Sequence, residues 1–430
     1  MVFIIFTDLK IHYSRRLTMK ALRKKVYVAA GYNTMFFGPG RKEFHPKKPM
    51  RAFEDYLNET FQGTCDQLVN TDFDEGVFTN FAAMRFIRQG NLPGFLPYLS
   101  KSLKGKSCTR VEGACGSGGL GIAAAVKTIL SELADSVLVV GGEIQNSMKS
   151  VYGADVLSAA GYYKGDRKDG HAYFFPGVFS DRAGTYGSVY DKDLMRQGMA
   201  KWYELAVTSS RKNPKSQEHH NSVEDLFGLG MTPPNGKIFM DHLNLFDCSK
   251  VSDGASSLVV ASEEGLKKLG VELEDAIEIS GFASAEGDIT EKPADPTVLD
   301  ITKIAAEKAL LMAGITISDL AMLELHDCFS IAALIALETI GFAKKGKGAE
   351  FLLEGNTKVS GKIPTNMSGG LCGFGHPVGV SGVRQMVDLL HQLTDKAEQQ
   401  VAYKNPFGMM VCMGGDDKTV SVFVTRKNQS

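Results

Sequence analysis

Thr109-Arg-Val-Glu-Gly-Ala-Cys-Gly-Ser-Gly-Gly-Leu-Gly121 is the stretch on which the reading of this chain turns. Thr109 to Ala114 predicts a short strand, Gly118 to Leu133 a helix, and Ser136-Val-Leu-Val-Val140 a fully buried strand ending at Gly141-Gly-Glu143. A strand, helix, strand unit implies a parallel pair, because parallel neighbours need a crossover connection. Gly116-Ser-Gly118-Gly-Leu-Gly121 also matches the GxGxxG pattern of a dinucleotide loop, with Glu143 near the position of a ribose-binding acid. Two observations weigh against that reading. The unit begins after more than 100 residues, and Cys115 immediately precedes the first glycine. A thiol at a helix N-terminus faces unpaired amides and the positive end of the helix dipole, both of which favour the thiolate. The glycines then serve nucleophile exposure and close helix-sheet packing.

The pattern recurs towards the C-terminus. Ile301 to Met312 is helical, Ala321 to Leu325 strand-like, and Ile331 to Ile340 and Gly379 to Leu393 helical, with apolar strands at Met409-Met-Val-Cys412 and Val420-Ser-Val-Phe-Val424. Two α/β halves, each with a glycine-rich turn before a helix, indicate an internal duplication. Met50 to Val69 has the apolar spacing of an amphipathic surface helix. Between Gln145 and Phe246 the chain turns polar and turn-rich, the mark of an insertion in the first half, and Ser257-Leu-Val-Val260 returns the chain to that half. The expected division is 26–144 plus 247–270 for the first half, 145–246 for an inserted loop domain and 271–430 for the second half. Residues 1–25 carry seven basic residues against Asp8 alone, which resembles a mitochondrial transit segment. A peroxisome-like organelle or the cytoplasm is the alternative location.

Composition narrows the function. Of 430 residues 43% are apolar and 23% charged, enough to build a large core. The net charge of -1 disfavours nucleic acid as a principal partner. No apolar run is long enough for a transmembrane helix. Seven cysteines lack any CxxC pair, so neither a disulfide framework nor a structural zinc site is signalled.

Four short segments place reactive side chains at strand ends or rigid turns, where α/β active sites form. They are Gly-Ala-Cys115-Gly-Ser, Leu-His326-Asp-Cys328-Phe, Gly-His376-Pro-Val-Gly and Cys412-Met-Gly414-Gly. His45, His171, His219, His220, His242 and His391 lack such a context. Metal ligation by His326, Cys328 and His376 matches no zinc spacing, so no metal is expected.

Taken together and in this order, these segments resemble the thiolase family over almost the whole chain from Val26 to Thr425. His-Asp-Cys-Phe, where common thiolases have Asn-Glu-Ala-Phe, resembles the sterol-carrier-protein-2 type. The resemblance implies the thiolase fold, two duplicated α/β halves in a layered αβαβα core with an inserted loop domain. It implies an acyltransferase that cleaves a 3-ketoacyl-CoA with CoA, or runs the reverse Claisen condensation. Coenzyme A and acyl-CoA are then substrates, no cofactor is tightly bound, and the chain forms a homodimer or a dimer of dimers. Cys115 would carry the acyl group and His376 would activate it. His326 and His376 would hold the enolate oxygen, the amides of Cys115 and Gly414 the tetrahedral intermediate, and Ser249 the pantetheine arm. Either Cys328 or Cys412 would be the second acid/base, with Cys328 favoured. A ketoacyl synthase-like condensing enzyme and a non-catalytic acyl-CoA-binding protein of the same fold are the alternatives.

Overall fold

The computed structural model describes residues 21–45, 51–167 and 173–428. Most of the basic leader and His171 therefore lie outside the described residues. Among the described residues nine strands form one mixed sheet: β1 (Tyr27–Asn33), β2 (Glu75–Thr79), β3 (Cys108–Val111), β4 (Ser136–Glu143), β5 (Gly254–Ala261), β6 (Ile277–Glu286), β7 (Leu320–Glu324), β8 (Phe407–Gly414) and β9 (Thr419–Lys427). Their order is β3-β2-β4-β5-β1-β6-β9-β8-β7.

That order contains a repeat. β1 pairs antiparallel with β5 and β5 with β4, while β4 runs parallel to β2 and β2 to β3. In the same sequence β6 pairs antiparallel with β9 and β9 with β8, and β8 runs parallel to β7. Even the outermost strand has its counterpart, a single parallel bridge from Leu323 to Thr365. The halves join where Tyr27 and Val28 pair with Glu278 and Ile277.

Helices cover both halves and fill the space between them. The helix α1 (Phe53–Cys65) buries Phe53, Tyr56 and Leu57 on the outer face of the first half, and α5 (Asp300–Ala313) does the same for the second. Between the halves lie α2 (Ser117–Leu130) and α7 (Ser381–Leu393), each packed on strands of both. Val77, Ile122, Val139, Val383, Met410 and Phe423 share one buried cluster there. A helix enclosed by both halves buries its polar side as well as its apolar one, and α7 buries even Arg384 and Gln385.

Two sequence expectations change. The strand expected to run to Ala114 ends at Val111, because Ala114 adopts a left-handed backbone at φ 54°. The polar stretch after Gln145 holds two long helices, α3 (Phe174–Val189) and α4 (Lys192–Ser210), the latter capped by Asp191, whose carboxylate accepts from the amides of Asp193 and Leu194. Their apolar residues, Phe179, Met195, Met199 and Trp202, pack with α6 (Ser330–Ile340) of the second half. The insertion leaves the chain in one half and packs on the other.

The central helices meet backbone to backbone. A Cβ on Gly382 would lie 2.5 Å from the Gly119 nitrogen and 2.7 Å from the Cys412 sulfur, and one on Gly118 would lie 2.7 Å from the Val383 nitrogen. Gly382→Ala should therefore lower unfolding free energy by about 1–3 kcal/mol, the usual cost of overpacking. Urea titration followed by circular dichroism measures this, and an unshifted midpoint would contradict so close a crossing.

Candidate active site

Cys115 sits on a single turn of 3-10 helix, Ala114–Gly116, immediately before α2. Ala114 pays for its left-handed backbone with about 1–2 kcal/mol of strain, and Ser117 ties the turn by donating to the Ala114 carbonyl at 2.6 Å and accepting from the Gly113 amide at 3.0 Å. The amides of Gly415 and of Cys115 itself are directed at the sulfur. Gly414, named by the resemblance as a donor, packs so tightly on this turn that a Cβ would lie 2.2 Å from the Gly113 carbonyl. Its neighbour Gly415 is the residue whose amide reaches the sulfur.

His376 is held from every side. Its amide faces the Lys250 carbonyl at 3.0 Å and the Ser252 hydroxyl at 2.9 Å, and its carbonyl accepts from Gln145 Nε2 at 2.8 Å. Its Nδ1 lies 2.6 Å from Ser381 Oγ, which is itself 3.3 Å from the Pro377 carbonyl. When Ser381 gives its proton to that carbonyl, Nδ1 donates to Ser381 and the Nε2 lone pair is left for a proton. Beyond the proline, Gly379 donates to the Glu143 carboxylate at 3.1 Å, which also accepts from the amides of Phe81 and Ala82 at 2.7 and 3.0 Å. Glu143 is thus a buried clasp on the loops that frame the site, and burial lifts its carboxyl to about 7.

His326 and Cys328 follow β7. Asn366 clamps the strand end by bonding both the amide and the carbonyl of Leu325, at 2.7 and 3.0 Å. Asp327 turns away from the site and accepts from the Leu371 amide at 2.7 Å and Trp202 Nε1 at 3.0 Å. Alternate residues of this segment are thereby committed in opposite directions, with His326 and Cys328 facing the cluster. The His326 ring lies 5.2 Å from that of His376 at 84°, and ligand atoms of Cys115, His326 and His376 all fall within 4.8 Å of one another. Three such groups lie close enough to pass a proton among them or to hold a metal ion.

A cavity of about 1050 Å³ opens above Cys115, Cys328, His376 and Gly415, and Ser249 stands on its wall with its amide bonded to the Cys328 carbonyl at 2.9 Å. Cys412 is buried on β8 outside that lining, its thiol 3.5 Å from the Cys115 carbonyl. His45, which has no motif around it, also lines the cavity.

Behind the histidines lies Arg384, fully buried one turn along α7 from Ser381. Its Nη1 donates to Glu324 at 3.1 Å, Ser368 at 3.0 Å and Asp388 at 2.6 Å. The Arg384–Glu324 pair ties the helix that carries Ser381 to the strand that delivers His326. Sequence patterns missed Arg384, Ser381 and Asn366. Ser381 alone left a trace, five residues after His376 at the start of a predicted helix.

Burial sets the protonation states. Desolvation pushes the Cys115 thiol up to about 12, with the nearby Cys412 adding to it, against the smaller pull of the Gly415 amide. Desolvation, helped by the Arg384 charge, drops His376 to about 3 and holds His326 well below the ordinary imidazole range. The helix N-terminus therefore does not yield a resting thiolate here, because desolvation outweighs it. At neutral pH the pair is thiol and neutral imidazole, the states in which His376 can accept a proton. Iodoacetamide labelling of Cys115, read by mass spectrometry, should accelerate about tenfold per pH unit from pH 7 to 9 without a plateau. A plateau by pH 7 would mean a resting thiolate-imidazolium pair.

Comparison with known proteins places these features in company. Residues 282–427 match the family described as thiolase C-terminal domain-like. The chain is 31% identical over 360 residues to an acetyl-CoA acetyltransferase of Methanocaldococcus jannaschii, covering 82% of this chain and 88% of the relative. It is 34% identical over 192 residues to human sterol carrier protein 2, covering 44% of this chain and 34% of that protein. In fold it is similar to human mitochondrial 3-ketoacyl-CoA thiolase in complex with CoA, with a TM-score of 0.67 at 17% identity, covering 95% of this chain and all of that one.

Proposed function

The chain belongs to the thiolase family and is an acyltransferase enzyme, and on that footing we propose that it is a sterol-carrier-protein-2-type thiolase that works through an acyl group on Cys115. The observation that carries the reading is the convergence of Cys115, His326 and His376 within 4.8 Å, with Cys115 and His376 lining a cavity that Cys328 also lines.

In the thiolytic direction, His376 Nε2 takes the Cys115 proton as the sulfur attacks the keto carbon of a 3-ketoacyl-CoA. The keto oxygen gains charge beside the Cys115 and Gly414 amides, the donors that the family resemblance implies, which as backbone groups need not reorient during the step. The bond between the second and third carbons then breaks. The shortened acyl group stays on Cys115, and the enolate of acetyl-CoA leaves near the two histidines. Cys328 protonates that enolate, becomes a thiolate, and takes the proton of the incoming CoA as the CoA sulfur attacks the acyl-cysteine; the Cys115 sulfur leaves and recovers its proton from His376 Nε2, which restores the thiol and neutral imidazole. The neutral state of Cys328, pushed well up by burial and by Cys115 and Asp327 nearby, suits the first of those transfers. Coenzyme A enters as substrate, with its pantetheine arm passing Ser249.

The choice of Cys328 over Cys412 rests on position: Cys328 lines the cavity, whereas Cys412 is packed between Gly119, Gly382 and the Cys115 carbonyl. A ketoacyl synthase condenses by decarboxylation and needs no second thiol, so the same position of Cys328 favours the thiolase reading. With acetoacetyl-CoA and CoA, Cys115→Ala should abolish both turnover and the acetyl adduct found by mass spectrometry. Cys328→Ala should slow single-turnover thiolysis by about 10² to 10⁴, and Cys412→Ala far less. Loss in Cys412→Ala with retention in Cys328→Ala reverses the two roles, and an acetyl adduct that persists in Cys115→Ala removes the nucleophile assignment.

Two further parts of the proposal concern where and how the protein exists. β3 stands at one end of the sheet with Thr109 and Arg110 exposed, an edge free to pair with a second copy, so a homodimer is expected on light scattering. The basic N-terminal segment supports mitochondrial import, and residues 1–25 fused to a fluorescent reporter should carry it there. A cytosolic reporter would overturn that location.

A further inference from the structure

Resting on the reading of Cys115 as acyl carrier, we infer that Gly153 is a specificity-determining residue whose missing side chain leaves room for a ring-bearing acyl group. Gly153 lies inside the helix Ser150–Leu157, is buried, and lines the catalytic cavity. Glycine is among the poorest helix formers, so an interior helical glycine calls for a reason. Backbone conformation is not the reason, because Gly153 is absent from the positive-φ glycines. Close approach is not the reason either. A Cβ there would meet nothing nearer than Phe86 Cε1 at 3.7 Å, Gln145 O at 3.9 Å and Met148 Cγ at 4.0 Å, ordinary contact distances. Gly118 shows what a packing glycine looks like, with backbone atoms 2.7 to 2.8 Å from the same built position. What remains at Gly153 is the cavity, since Phe86 and Met148 line it too.

The size of that cavity agrees. A cavity of ~150 Å³ holds a benzene, six heavy atoms, and an acetoacetyl group has about as many. At that ratio the pantetheine arm and an acetoacetyl group together occupy roughly 600 Å³, well short of the 1050 Å³ present. The surplus is walled by rings. Phe174 and Phe175 meet edge to face at 5.0 Å, and Phe179 stacks on Phe329 at 4.4 Å and 21°. All four line the cavity, and Phe329 adjoins Cys328. Aromatic faces and edges in these arrangements accept a further flat ring by offset stacking or edge contact. With Gly153 and Ala154 as the small-residue wall, the free space suits a 3-ketoacyl-CoA bearing an aromatic or alicyclic ring.

The test compares benzoylacetyl-CoA, acetoacetyl-CoA and 3-ketohexadecanoyl-CoA on the wild-type protein and on Gly153→Leu, by thiolysis kinetics and by binding calorimetry. The wild type should favour benzoylacetyl-CoA over both others in kcat/KM. Gly153→Leu should cost benzoylacetyl-CoA about tenfold or more while acetoacetyl-CoA changes little, in the range that one or two methylenes command in an apolar pocket. Preference for acetoacetyl-CoA or the linear ester, or an equal loss on all three, overturns the inference. Should Gly153→Leu fail to fold, Gly153→Ala, whose Cβ has room, carries the same comparison with a smaller expected change. If no ester is cleaved, the thiolase reading falls by itself. Tighter binding of benzoylacetyl-CoA that Gly153→Leu removes would then still support the acyl site, and indifferent binding would overturn it.

Discussion

Two helices touch backbone to backbone at Gly118, Gly119 and Gly382, and the reactive groups hang from that contact. One residue before α2 begins is Gly116, and before that Cys115. One residue before Gly382 is Ser381, the hydroxyl that holds His376. Cys412 reaches the same spot from β8, its sulfur packed on Gly382. Any side chain at the crossing would separate the N-termini of α2 and α7, and with them the nucleophile from its base. The duplicated topology makes this possible. Each half contributes the same strand, turn, helix unit to the middle layer, and stacking the units brings two equivalent turns face to face. The catalytic pair is a product of the repeat, one member from each copy.

Burial governs the chemistry at that junction. Two histidines, three thiols and the Asp327 carboxyl crowd this junction, and desolvation drives each of them towards its neutral form. Arg384 is the exception, a buried cation held charged by Asp388 and Glu324. Its position behind both imidazoles adds a fixed positive charge on the side away from the cavity and disfavours their protonation. A neutral resting site avoids burying a thiolate without a partner, and charge then develops only where amides already point. The same network is mechanical. Arg384 joins the strand before His326 to the helix after His376, so the separation of the two rings depends on an ion pair in neither motif.

The segment between β4 and β5 adds the third component. It leaves the first half and lays α3 and α4 over the second, and its aromatic residues roof the cavity above Cys115 and Cys328. Core strands set the reacting groups, and the inserted helices set the volume available to the acyl chain. The two are separable physically, because strands carry almost none of the cavity lining beyond the catalytic turn.

Much of this was legible in the residues alone. Runs such as Val137 to Val140 and Val420 to Val424 can only be buried strands, the glycine-rich turns announce helix starts, and the four motifs marked Cys115, His326, Cys328, His376 and Cys412 because each sits at a strand end or a rigid turn. Expectation failed where a distant partner overrides local preference. Thr109 to Ala114 reads as one strand, yet Ala114 is forced into a left-handed turn that Ser117 and Glu112 hold in place. Glu143 matches the spacing of a ribose ligand, a reading that Cys115 already argued against, but spacing could not say which amides its carboxylate meets across 62 and 236 residues of chain. The long helices α3 and α4 were hidden because their apolar stripes are broken by polar residues and face a half of the protein still to come in the sequence. Ser381, Asn366 and Arg384 carry no local signature for the same reason. The amino-acid order determined the repeating architecture and the identity of the reactive groups, since both follow from short-range periodicity and turn preference. The neutral state of the site, the separation of Cys328 from Cys412 and the breadth of the cavity were decided only by folding, because each depends on desolvation and contact between segments hundreds of residues apart.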